Sequence, residues 1–117
     1  MKLIIDRREW LRGEGPRSSK LLRSSDSKRC CVGIYARALG VPDKNILDYV
    51  WPNRRYDMDE PVWRADEAPW LLAESTDETM KRNLSCLNDD PFLDDFTRER
   101  LIKERFAEHD VEVTFIN

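Results

Sequence analysis

"DVEVTFIN", residues 110–117, decides the fold class. Val111, Val113 and Phe115 alternate there with Glu112, Thr114 and Ile116, and a period of two marks a strand with one face buried. "MKLIID", residues 1–6, is a second β-prone run at the opposite end of the chain. Strands at the two ends can pair only if everything between them folds back, so the pairing would close one domain around its own middle.

The intervening segments have the other period. In "SKRCCVGIYARALGVP", residues 27–42, Cys31, Ile34, Tyr35, Ala38 and Leu39 fall at i, i+3, i+4, i+7 and i+8, which predicts a helix over 30–39. Gly40 stops it and Pro42 prevents its continuation. Asp43 can cap a further turn that faces Ile46, Leu47 and Val50 inward. A capping box of Ser75 with Glu78 predicts a helix over 76–87, with Met80, Leu84 and Leu87 on one face. Asp94 or Asp95 can cap a last helix over 95–109 that buries Leu101, Ile102 and Phe106. Near the start, Asp6 with Glu9 reads as a capped turn ending at Gly13, and "SKLLRSSDSK" (19–28) as a short strand or extended segment followed by a turn. The expected fold is α+β, a small two- or three-stranded sheet including both chain termini with three or four helices packed on it. One domain is expected over 1–117, carrying a long Trp/Pro-rich loop at about 51–69.

Composition limits the functions. The 117 residues suit one modest core. No leader-like segment and no run near the roughly 18 apolar residues of a membrane span is present, so a soluble, intracellular protein with no membrane partner is expected. Cys30, Cys31 and Cys86 are an odd, unevenly spaced set, which argues for thiols rather than a disulfide scaffold. The net charge of −3 conceals a split, because ten of the 20 basic residues and only four of the 23 acidic ones lie in residues 1–37. Such a split makes a basic face for nucleic acid, makes an acidic face for a basic partner, or is compensated when the halves fold together.

The candidate chemistry is narrow. A thiol at a helix N-terminus beside Lys28 and Arg29 has the surroundings that favour a thiolate. Cys31 starts the apolar stripe, while Cys30 lies about 100° round the helix and Gly33 leaves room on that side for a backbone or a ligand. Cys30 is therefore the candidate nucleophile, and His109, the one histidine of the chain, its base. "KRCCVGIYARALGVP" resembles the nucleophile helix of papain-like peptidoglycan peptidases, in which Asp-Cys-Ser-Gly opens a similar helix. Val32 stands where that pattern has serine, and the peptidases take their histidine from a downstream strand. Arg7, Arg8 and Arg12 beside Trp10 could instead hold a phosphate backbone and stack a base, against an acidic pI of about 5.2. No metal-ligand spacing and no phosphate loop is present, so neither metal nor cofactor is expected.

Four blocks taken together, "IDRREWLRGEG" (5–15), "LLRSSDSKRCCVGIYARALGVPD" (21–43), "LNDDP" (87–91) and "ERFAEHDVEVTFIN" (104–117), resemble a family of small uncharacterised proteins of tailed bacteriophages and prophages. That family shares the order Trp-Leu-Arg-Gly-Glu-Gly, a Leu-Leu pair, a Cys-Cys-x-Gly helix start, an Asn-Asp-Asp turn and a terminal strand. This chain departs at Ser24, Ser25 and Ser27, where the pattern favours a glycine turn, and at Val32, where leucine is usual; residues 53–74 have no counterpart. The resemblance implies a phage accessory protein in the cytoplasm of an infected cell. The expected function is binding, and inhibition, of a host macromolecule such as a defence or metabolic protein, with a host or phage protein as partner. Trp51, Arg54, Arg55, Tyr56 and Trp63 are the expected contacts, because Trp, Tyr and Arg are favoured anchors. A thiol-dependent hydrolase using Cys30, and a nucleic-acid module using Arg7, Arg8 and Arg12, are the alternatives.

Overall fold

The computed structural model describes residues 1–15, 20–48 and 84–117. Two strands, β1 (Lys2–Asp6) and β2 (Glu112–Ile116), pair in parallel, with Leu3 opposite Val113 and Ile5 opposite Phe115. Leu3, Ile5 and Val113 are buried and Phe115 is half-buried, while Ile4, Thr114 and Ile116 face outward. A parallel pair cannot be joined by a hairpin and needs a crossover; here the crossover is the rest of the protein. Both sheet ends are fastened by backbone bonds, Glu112 N–H to Met1 O at 2.8 Å and Arg7 N–H to Ile116 O at 2.9 Å.

Three helices accompany this sheet among the described residues: α1 (Cys31–Ala38), α2 (Leu84–Asp89) and α3 (Asp95–Ala107). A short 3₁₀ turn spans Asp43–Asn45. The expected α+β class is therefore the observed one, with both termini in the sheet. Asp94 is the N-cap of α3 and accepts a hydrogen bond from Thr97 N–H at 2.7 Å. Ile102 and Phe106 are fully buried and Tyr35 packs edge-on against Phe106 with centroids 5.2 Å apart. At the end of α3, Asp110 takes φ +61° and turns the chain into β2, a left-handed conformation that Asp tolerates better than most residues.

Several local expectations are corrected. Helix α1 begins at Cys31, with Cys30 as its N-cap, and buries Val32 and Ala36 while Ala38 is exposed. Chain segments cover it from more than one side, so its apolar stripe understates its burial. Ile46 is buried, but Leu47, whose backbone bridges to Leu22, leaves its side chain exposed. Asp6 and Glu9 do not form a capping box. The Asp6 carboxylate accepts from Arg8 N–H at 3.0 Å, and the Glu9 carboxylate pairs with Arg37 on α1. Met80, Val50, the helix start at Ser75 and the loop at 51–69 lie outside the described residues.

Gly33 has a specific structural reason. Residues 20–22 cross α1 so closely that a Cβ on Gly33 would lie 1.7 Å from the backbone oxygen of Leu21. The room expected beside Gly33 is filled by backbone, and Cys30 N–H donates to Lys20 O at 3.0 Å in the same crossing.

Candidate functional site

Cys30 and Cys31 are both completely buried, which corrects the expectation that only Cys31 would be. The Cys30 sulfur accepts a hydrogen bond from Gly33 N–H at 3.4 Å and so acts as a helix cap. Burial pushes the Cys30 thiol up to about 12, outweighing the main-chain bonds from Gly33 and Val32 that act in the other direction. The helix N-terminus favours a thiolate only where the sulfur stays near water; here desolvation wins. Arg29, expected to assist, turns to Asp43, with its Nη2 2.8 Å from the carboxylate. His109 lies in the turn after α3. Cys86 is the exposed cysteine.

The basic N-terminal third meets acidic groups of the chain. Arg7 grips Glu99 of α3 through two bonds of 2.8 and 2.7 Å, and Arg12 reaches Asp95 at 3.2 Å. Arg8 pairs with Asp6, Arg23 with Asp26 and Glu14, and Arg37 with Glu9. These contacts hold the Asp6 and Asp26 carboxyls down at about 2, chiefly through the Arg8 and Arg23 side-chain bonds. The Arg12 guanidinium also lies 4.5 Å from the centre of the Trp10 ring, and Trp10 is itself buried. The base-stacking platform expected there is thus covered, and among the described residues Arg7, Arg12, Lys20 and Arg29 of the basic third pair with carboxylates of the later chain while Arg8, Arg23 and Arg37 pair within residues 1–37.

The sequence blocks around Trp10, Cys31 and Asn88 converge on one side chain. Fully buried Asn88, at the end of α2, accepts through Oδ1 from the Trp10 indole N–H at 2.8 Å and from Cys31 N–H at 3.0 Å. Its Nδ2 donates to Leu11 O at 2.8 Å, and its own backbone oxygen receives Gly13 N–H at 2.8 Å. Gly13 has φ +68°, which lets the loop turn back against Arg98.

Arg98, only 3% exposed, is the second polar anchor. Its Nη1 donates to the carbonyls of Leu87, Asn88 and Asp90 at 2.8–3.2 Å and its Nη2 to Leu93 O at 2.7 Å. It thereby caps α2, whose last carbonyls have no partner within the helix, and fixes the turn to α3. A polar cleft of about 360 Å³ opens beside it, lined by Arg12, Gly13, Glu14, Lys28 and Asp95 among others. Asp95 faces both arginines of that cleft.

Two large apolar side chains beside Arg98 face solvent: Phe92, in the turn it holds, is 94% exposed, and Phe96, in the first turn of α3, is 81% exposed. The turn is well defined, because Asp90 Oδ1 accepts from Phe92 N–H at 2.9 Å and Pro91 fixes its own φ. Burying a phenylalanine contributes about 1.5–3 kcal/mol, so a fold that leaves both in water forgoes a large share of a typical net stability. These two residues escaped the sequence reading, which took "NDDPFLDD" as a turn cluster only. A signal was available: Phe96 lies about 200° round α3 from Arg98, away from the stripe of Ile102 and Phe106.

The contacts expected at Trp51, Arg54, Arg55, Tyr56 and Trp63 lie outside the described residues. Among the described residues no group of three or more His, Cys, Asp or Glu is placed to hold a metal ion, and no helix is long and apolar enough to cross a membrane. No protein-family model, curated protein or solved structure matches the chain.

Proposed function

We propose that this is a phage-type accessory protein that binds a host protein in the cytoplasm of the infected cell and inhibits it, a defence or metabolic factor being the target. The observation that carries this reading is the exposure of Phe92, on a turn anchored by the buried Arg98, and of Phe96, in the first turn of the helix that Arg98 belongs to. Aromatic side chains dominate the energetics of protein interfaces, and a turn already held in place loses little conformational freedom on binding. The resemblance to small phage and prophage proteins supports the cellular setting. Trp51, Arg54, Arg55, Tyr56 and Trp63 enter the same proposal as further contacts, on sequence grounds alone.

The test is quantitative affinity capture from bacterial host lysate with the tagged full chain, beside a Phe92→Ala/Phe96→Ala variant and a Trp51→Ala/Trp63→Ala variant. One host protein should co-purify with the wild type in near-stoichiometric amount and be lost with the phenylalanine pair. Identical capture by all three chains would refute the proposal.

A further inference from the structure

We infer that the open edge of β1 pairs antiparallel with β1 of a second copy of this chain, joining two molecules into one four-stranded sheet about a two-fold axis at Ile4. The host-binding reading above neither requires this pairing nor follows from it.

The phase of the ladder between β1 and β2 shows which groups are left over. Because Glu112 N–H donates to Met1 O and Arg7 N–H to Ile116 O, the odd-numbered residues of β1 bond to β2, and Lys2, Ile4 and Asp6 direct their main-chain groups away from it. Glu9 N–H takes Asp6 O at 3.1 Å. The other groups on that side, N–H and C=O of Lys2 and Ile4 and N–H of Asp6, have no partner among the described residues. Buried main-chain groups are almost always paired, so this edge lies in water. The side chains agree: Ile4 is 58% exposed and Lys2 is exposed, although Leu3 and Ile5 are buried. No proline or bulge, the usual protection of an edge, interrupts Lys2–Asp6. Two strands are also fewer than the about four to six that most sheets contain.

The sequence of the edge selects the occupant. In an antiparallel pair of two β1 strands, residues with outward main-chain groups must meet one another. Centring the pair on Ile4 is the register that engages all of them: Ile4 meets Ile4 of the copy, and Lys2 meets Asp6 at both ends. Each residue pair then exchanges two main-chain bonds. Other registers lose at least one pair and either oppose like charges or set Ile4 against a charged residue, both unfavourable in a sheet. A lysine on an edge commonly guards it against pairing; here the copy's Asp6 supplies the opposite charge. Asp6 already holds Arg8, but its carboxyl, depressed to about 2, stays ionised and has lone pairs for a second cation. A two-fold pairing also closes on itself, whereas β1 laid against the β2 edge of another molecule would run on as a filament. The contact is small beside the roughly 1,200 Å² of a stable complex, so the dimer is weak, with a dissociation constant of about 10–100 µM.

Sedimentation equilibrium of the full chain from about 1 µM to about 1 mM should show the mass rising from one chain toward two. Ile4→Lys, at an exposed position, sets lysine against lysine at the centre and should raise the dissociation constant about tenfold or more. Lys2→Glu opposes glutamate to Asp6 at both ends and should raise it about fivefold. Both variants should keep the wild-type circular dichroism. Cross-linking reads the register, in a Cys86→Ser background because Cys86 is exposed. On mild oxidation Ile4→Cys should form a disulfide between two chains, since directly paired residues have Cα atoms about 5.5 Å apart. Thr114→Cys, on the same face beside Ile4 but one strand farther from the axis, should not. A monomer at every concentration, a dimer indifferent to Ile4→Lys, equal cross-linking at the two positions, or masses that rise beyond two chains would each overturn the inference. A chain that stays monomeric yet loses host-protein capture on Ile4→Lys would show that the edge takes a strand of another protein; the self-pairing then falls while the host-binding reading stands.

Discussion

Replacing Asn88 tests the packing scheme most directly. Asn88→Ala removes the acceptor for the Trp10 indole N–H and for Cys31 N–H, and the donor for Leu11 O. Trp10, Leu11 and Cys31 are each at most 2% exposed, so water does not readily replace the lost partner. A buried polar group left without its bond costs about 1–3 kcal/mol; with partial relaxation the three together come to roughly 3–6 kcal/mol. A domain of this size is stable by about 6–15 kcal/mol, so the substitution removes at least about a fifth of the total. Asn88→Leu fills the space but makes none of the bonds, and should be at least as damaging as alanine. Asn88→Asp keeps the acceptor and loses the donor to Leu11 O while bringing a charge beside buried Asp89, so it should be destabilised at neutral pH and recover in part in acid. Urea unfolding followed by far-ultraviolet circular dichroism measures all three. If alanine and leucine each cost less than about 1 kcal/mol at unchanged urea dependence, the bonds do not hold the loop, α1 and α2 together and the reasoning is refuted.

Three further outcomes follow from other parts of the fold. Gly33→Ala places a methyl group on the Leu21 carbonyl and should cost more than about 4 kcal/mol; a melting temperature within a few degrees of wild type would show that the crossing is looser than described. Of the three thiols only Cys86 should react quickly with Ellman's reagent under native conditions, and Cys86→Ser should abolish the fast phase; fast reaction at a second thiol would contradict the burial of Cys30 and Cys31. Asp6 and Asp26 have carboxyls depressed to about 2, so their contribution is complete above the ordinary value of about 3.9 and is lost as pH falls toward 2. Asp26→Asn should therefore flatten the loss of stability in that interval, and acid titrations of variant and wild type that run parallel would disprove the coupling.

The fold class was legible because it depends on a strong local signal. The alternation from Val111 to Ile116 can be satisfied only with one face covered, and β2 buries Val113 as that alternation requires. The burial of Cys30 was not legible, since the helical spacing placed it off the stripe and its cover comes from residues 20–22, a contact between segments that periodicity cannot show. Leu47 failed for the same reason in reverse: it reads as apolar, but no segment among the described residues buries it. The polar anchors Asn88 and Arg98 were missed because pattern reasoning counts apolar positions. Arg98 stands at i relative to Ile102 and Phe106 at i+4 and i+8, so it occupies a core position of α3, and a charged residue heading an apolar stripe was the available clue.

Arg98 also connects stability to the proposed interface. An arginine buried among carbonyls is costly to desolvate and is retained only where its donors are well used. Four main-chain acceptors from Leu87, Asn88, Asp90 and Leu93 take its two terminal nitrogens, while Nε makes no hydrogen bond and has the Asp95 carboxylate 3.7 Å away. Two belong to the end of α2 and two to the turn that carries Phe92, so the guanidinium that completes the helix also sets the direction of the aromatic ledge. The main-chain oxygen of Asn88, whose side chain gathers Trp10 and Cys31, is among those four acceptors, so one guanidinium ties the turn that carries Phe92 to that buried hydrogen-bond cluster. A surface that must meet a partner in one orientation gains from such an attachment, because the freedom that binding would remove has already been removed in folding.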